Sequence, residues 1–227
     1  GMYILAAILL FNISLKENNG NQKSTELDIV KDIKITMKFL NNHRNALNMI
    51  TLAVLISLIS ATFYNAMNAL ATDFYSVSVQ GLAKLKIMLG AGTSYGFIAM
   101  LFLNKRVKTN KLLVASFLGL SICLLTSSLC TTFFKARFWL AAIGLFAAIL
   151  KITVDTILQK VSPDFIRGKI FAFASVLETF VSLVGIGFVS LCVGFINPIA
   201  IFHGIAIMSA LVALTLLALN KDFRYFV

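Results

Sequence analysis

Residues Lys151 to Glu178 read KITVDTILQKVSPDFIRGKIFAFASVLE. The stretch sets three ionisable residues, Lys151, Asp155 and Glu178, inside two long apolar segments. It joins those segments by a short basic loop containing Ser162, Pro163, Arg167 and Gly168. An isolated charge at the centre of a bilayer costs about 2.5 to 3.5 kcal/mol on insertion scales, so such residues pair with one another or face a wet cavity.

The surrounding sequence places the stretch in a membrane. Of 227 residues, 59% are hydrophobic and 13% are charged, and the mean hydropathy is +0.91, far from the average soluble domain. Crossing about 30 Å of hydrocarbon takes about 20 residues of helix. Six runs meet that length: Ala46 to Thr72, Ile87 to Asn104, Leu112 to Phe134, Phe138 to Gln159, Ile170 to Phe195 and Ile199 to Asn220. The first three are uncharged. The fourth contains Lys151 and Asp155, the fifth contains Glu178, and Asn197-Pro198 separates the fifth from the sixth. The expected fold class is an all-α membrane protein.

Charge sets the orientation. With loops assigned alternately to the two sides, fifteen of the twenty lysines and arginines fall on one side. Lys84, Lys86, Lys135 and Arg137 fall on the other, and Lys151 lies within the membrane. The positive-inside rule makes the richer side cytoplasmic, so the C-terminus is expected there and Trp139 at the outer boundary. The net charge of +11 follows from these loops rather than from one basic face, which argues against nucleic acid. Cys123, Cys130 and Cys192 all lie in apolar runs without metal-type spacing and read as small buried hydrophobes.

The expected organisation is the end of a preceding span over 1–13, a linker over 14–45, a six-helix bundle over 46–220 and a cytoplasmic tail over 221–227. The run Met2 to Ile13 is too short to cross, and with glycine rather than methionine at position 1 the chain reads as a fragment. Lys16 to Ser24 reads as flexible loop. Thr25 and Asp28 resemble a capping box, and Leu27, Val30, Ile33, Met37 and Leu40 then recur at helical spacing. That amphipathic helix suits an anionic inner leaflet. A solvated connector packed on the cytoplasmic ends of the spans fits equally well.

Six spans with inside ends, a preceding cytoplasmic helix and the loop motif together resemble the C-terminal half of a major facilitator superfamily transporter. Asp155-Thr156-Ile157-Leu158-Gln159, followed by Ser162-Pro163-Asp164 and Arg167-Gly168-Lys169, is similar to the loop between the fourth and fifth helices of that half in exporter-type members. Gly90, Gly92 and Gly96 before a basic loop are similar to its second helix. The loop Asn104-Lys105-Arg106-Val107-Lys108 departs from the family pattern by lacking its acid and glycine. The resemblance implies two inverted three-helix repeats, a missing N-terminal half as partner, and alternating-access efflux of a small amphipathic or drug-like solute in the inner or plasma membrane. It further implies coupling to protons, with no cofactor.

The residues themselves nominate several constellations. Lys151 and Glu178 lie about 12 Å from the inner ends of their spans, and Asp155 shares a helical face with Lys151. Joined by a short loop, the two spans read as antiparallel neighbours, and the three charges as either a gating and coupling cluster or a static ion pair. Tyr64, Asn65 and Asn68 form a candidate substrate path, or else satisfy one another between helices. Gly92-xxx-Gly96, with Gly90, is a close-packing pattern for a neighbour within the half or for a second copy. Pro163, Arg167 and Gly168 mark the cytoplasmic loop. His203 reads as a packing residue. No phosphate loop, zinc spacing or nucleophile-base pair is present in the sequence, so no enzyme is expected. The other reading is a non-transporting membrane module, either a truncated remnant or a helical scaffold that binds a partner.

Overall fold

The computed structural model describes residues 29–74, 77–130, 132–193 and 195–218. The expected span end over 1–13, the Lys16 to Ser24 loop, the Thr25 and Asp28 cap and the 221–227 tail lie outside them. The described residues form seven helices and no strand: α1 Ile29–Asn42, α2 Arg44–Ala69, α3 Val79–Arg106, α4 Thr109–Ser128, α5 Phe133–Val161, α6 Arg167–Cys192 and α7 Pro198–Ala218. α2 to α7 are each long and apolar enough to cross a membrane. The last turn of α2 widens into a π-helical turn, Leu70–Phe74.

The breaks between helices have local causes. α5 ends where Ser162 takes an extended conformation, as the residue before a proline must, while its N–H still donates to the Leu158 carbonyl at 3.0 Å. α7 begins with Pro198 in its first position, and the Asn197 side chain accepts the Ile199 N–H at 3.0 Å, an Asn cap followed by the proline that needs no donor. Between α1 and α2 the chain turns at His43. Its ring stacks on Phe39 at 4.0 Å, and its Nδ1 lies 2.9 Å from the Phe39 carbonyl.

Two boundaries differ from the hydropathy reading. The apolar run expected to continue to Phe134 stops at Ser128, and Phe133 and Phe134 instead open α5. There the Arg137 guanidinium lies over the Phe134 ring, 5.8 Å from its centroid. Lys84 and Lys86, read as loop, belong to the first turns of α3. Long cationic side chains at a span end reach the interface without breaking the helix.

Packing follows a definite pairing. α3 lies along α5, α2 along α6, and α4 between α5 and α7, while α2 also meets α5 and α7. α1 rests on α6 and α2. One buried cluster runs through the bundle, with Met49, Phe63 and Met67 of α2, Phe117 of α4, Leu150, Val154 and Leu158 of α5, Ile170 of α6 and Phe202 of α7 at its centre. Phe63 meets Phe202 edge to face at 5.4 Å. α5 and α6 were expected to be neighbours because their loop is short. They do not pack along their lengths: each packs on α2. α3 and α6 are the least buried spans and leave long apolar faces open, among them Phe97, Leu101 and Phe102 on α3 and Phe180, Leu183 and Phe188 on α6.

Candidate functional site

Most hydroxyls within the spans bond to carbonyls of their own helix, as Thr62, Ser94, Ser116, Thr153 and Thr179 do. This satisfies them in an apolar medium without a partner helix. The polar groups that reach across helices therefore stand out. Ser121 of α4 donates to Ser209 of α7 at 2.8 Å, both buried, and joins that helix pair. Ser57 of α2 donates to Glu178 Oε2 of α6 at 3.0 Å.

Glu178 is the hub of a cluster drawn from three helices. Lys151 Nζ donates to both of its carboxylate oxygens, at 2.9 and 3.0 Å, and lies 3.2 Å from Asp155 Oδ1 one turn along α5. Glu178 therefore accepts three hydrogen bonds, two from a cation and one from a hydroxyl. Lys151 is shared between two carboxylates. The side chains of Lys151 and Asp155 are 38% and 39% exposed and that of Glu178 19%, so the ion pair sits at the rim of the bundle rather than in its core. Lys151 lies ten residues before the end of α5 and Glu178 eleven after the start of α6, about 15 Å in from those ends.

The structure thus brings Lys151, Asp155 and Glu178 together and adds Ser57, which the sequence reading missed. The signal that could have found it is register. Ser57, Ala61, Tyr64 and Asn68 fall at i, i+4, i+7 and i+11, one stripe on α2 that rises about 16 Å from the ion pair towards the opposite end of the bundle. Tyr64 is exposed on this stripe, and Asn65 is half-buried just beside it. The Oδ1 of Asn68 is buried with no hydrogen bond among the described residues.

The remaining candidates fall elsewhere. Gly92 faces the Ala141 carbonyl of α5, and a methyl group built on it would collide with that backbone. At Gly96 the added carbon would stand 2.6 Å from the Leu145 carbonyl oxygen and 2.8 Å from Ala148 Cβ. Gly144 of α5 faces Leu89 and Thr93 from the other side of the same seam. Gly90 meets nothing within 4 Å. In the loop, the Pro163 carbonyl accepts the Arg167 N–H at 3.0 Å. The Arg167 guanidinium bonds the Ser162 carbonyl at 3.1 Å and pairs with Asp164 at 2.6 Å, while Gly168 meets nothing within 4 Å. His203 is tied to its own helix, its Nδ1 2.8 Å from the Ile199 carbonyl. An apolar groove of about 530 Å³ opens between α2, α6 and α7 beside Leu58, Gly185 and Gly204, and none of Ser57, Lys151, Asp155 and Glu178 lines it.

Chemically, the cluster can be opened in two ways. A proton on Glu178 would remove the attraction for Lys151, and separation of α5 from α6 would pull the pair apart. Asp155 would be left as a second acceptor in either case. No known protein family, curated protein or solved structure matches this chain.

Proposed function

We propose that the chain is the C-terminal six-helix half of a major facilitator-type secondary transporter, with the α1 end of the bundle in the cytoplasm. It rocks against an N-terminal half around a central site. The observation that carries the proposal is the pairing of the spans. Exchanging α2, α3 and α4 with α5, α6 and α7 turns the α3–α5 contact into α6–α2 and the α4–α5 contact into α7–α2, and returns α4–α7 and α2–α5 to themselves. Two three-helix repeats related by a pseudo-two-fold axis require that invariance. A bundle of six unrelated spans does not.

In this reading α2 and α5, the first helices of the two repeats, carry the polar stripe and the charged cluster and line the solute path. Glu178 on α6 latches to both through Lys151 and Ser57. The cluster is the gate: the latch holds in one access state and opens in the other, with a proton on Glu178 as the coupling event. The solute is a small amphipathic molecule that leaves the cell. The experiment is accumulation of an amphipathic dye such as ethidium in cells expressing the intact transporter. Glu178→Gln is expected to abolish efflux while membrane insertion and protein level stay normal. Undiminished efflux by that variant would sink the gate.

A further inference from the structure

α1 is the helix that the transport reading does not use. It turns at His43 and folds back over the ends of α2 and α6, so that Thr36 and Leu40, 1% and 3% exposed, close against the bundle. Leu40 belongs to the same buried cluster as Ile166 and Ile170 near the start of α6. A connector helix needs no more than this one buried edge.

α1 carries more than one edge. On the helical wheel Leu40 lies about 20° to one side of Ile33 and Met37 about 40° to the other, so the apolar sector runs on past the buried edge. Ile33 and Met37 are 42% and 57% exposed. Beyond Met37 come Val30 and Asn41 at about 60° and 80°, then Lys34 and Lys38 at about 100° and 140°; Asn41 and both lysines are exposed. The order around the helix is therefore bundle contact, open apolar arc, one asparagine, then lysines, beside the starts of α2 and α6.

We infer that α1 is an interfacial helix that seats Ile33 and Met37 at the boundary between acyl chains and headgroups and holds anionic lipid phosphates with Lys34 and Lys38. Helices that lie in the interface bury an apolar arc a few ångströms deep and flank it with basic residues, and each lysine near an anionic surface strengthens the attachment. Charge selects the occupant. The flanking groups are cations, and the anions at this depth of a membrane protein are lipid headgroups. The inference requires only that the six spans lie in a bilayer and stands whether or not the chain transports anything.

The test uses the whole chain in nanodiscs, with Cys123, Cys130 and Cys192 replaced by Ala and a single Met37→Cys carrying an environment-sensitive bimane. Ile35→Cys, about 160° round the helix from Met37, is the control. In phosphatidylglycerol discs, lipid bearing a nitroxide near the glycerol is expected to quench the probe at position 37 at least about twofold more than at 35, with aqueous acrylamide doing the opposite. Lys34→Gln with Lys38→Gln is expected to weaken docking roughly fivefold per lysine, and uncharged phosphatidylcholine discs are expected to do the same. Strong acrylamide quenching at 37 would overturn the inference in favour of a solvated connector. Protection from both quenchers would overturn it in favour of burial against protein, this bundle or a second copy of the chain. Should the cysteine-free background fail to fold, Met37→Trp with Trp139→Phe and brominated lipid reads the same depth with the native cysteines in place.

Discussion

The α3–α5 contact and the α2–α6 contact correspond to each other when the two triplets of spans are exchanged, yet they are built differently. In the first, Gly92 and Gly96 lie against the backbone of α5, and Gly144 answers from the other side. In the second, a carbon added at Gly185 of α6 would meet side chains first, Leu58 Cδ1 at 2.9 Å and Thr62 Cγ2 at 3.2 Å, with the Leu58 carbonyl oxygen farther off at 3.6 Å, and the polar link is the Ser57 to Glu178 bond. Helices in lipid gain little from burying apolar surface, because the tails are as apolar as leucine, and so they associate through close packing and polar links. The two contacts divide those means. Backbone against glycine has one geometry and fixes α3 to α5. Side-chain contacts and one hydroxyl-to-carboxylate hydrogen bond leave the α2–α6 seam more tolerant of displacement.

The largest effect is expected where that difference is most severe. Gly92→Ala places a methyl group in the Ala141 carbonyl, which cannot step aside without parting the helices, and should destabilise the chain by about 3 kcal/mol. Gly185→Ala meets flexible side-chain ends and should cost under about 1 kcal/mol. Gly90→Ala, with open space around it, should be neutral. Thermal melting of the three variants in one detergent checks the order. A Gly185→Ala penalty as large as that of Gly92→Ala would erase the distinction between the two contacts.

The same distinction marks what could be read from the sequence. The spans were legible because a hydrocarbon slab demands length and apolarity, which hydropathy measures directly. Pairing was not legible, because in lipid it depends on which small residues let backbones meet. Gly92 and Gly96 signalled a close approach, but nothing in the sequence named α5 and its Gly144 as the answering surface. The Lys151, Asp155 and Glu178 cluster was legible from depth and register. Its third helix was not, since the short Ser162 to Ile166 loop argued for direct contact of α5 with α6, and a lone serine in an apolar run carries no signal until its stripe with Tyr64 and Asn68 is drawn. The end of α4 at Ser128 was hidden because Phe133 and Phe134 are as apolar as the span before them.

Next in size is the ion pair. Lys151→Met leaves Glu178 without its cation and should cost about 2 kcal/mol, less than a fully buried pair would because Lys151 is partly exposed. Adding Glu178→Leu removes the stranded carboxylate and should recover most of that loss, a coupling that a double-mutant cycle reads directly. Failure of the second substitution to recover stability would mean that the pair does not join α5 to α6. Ser57→Ala, which removes one of the three hydrogen bonds to Glu178, should cost about 1 kcal/mol.

The smallest change in stability separates a staple from a switch. Asp155 is 39% exposed and 3.2 Å from Lys151 at i+4 on the same helix, and exposed pairs of that kind contribute about 0.5 kcal/mol or less. Asp155→Asn should therefore melt with the parent. In a static staple it should also transport with the parent, since the Lys151–Glu178 bonds are untouched. In a switch, Asp155 receives Lys151 whenever Glu178 lets go, so removing its charge leaves the lysine with a neutral amide oxygen and no anionic partner in the second state. Dye efflux should then fall by several-fold while the melting curve stays in place. Parental efflux in Asp155→Asn, combined with loss in Glu178→Gln, would assign the work to Glu178 alone and reduce Asp155 to a neighbour that Lys151 touches in passing.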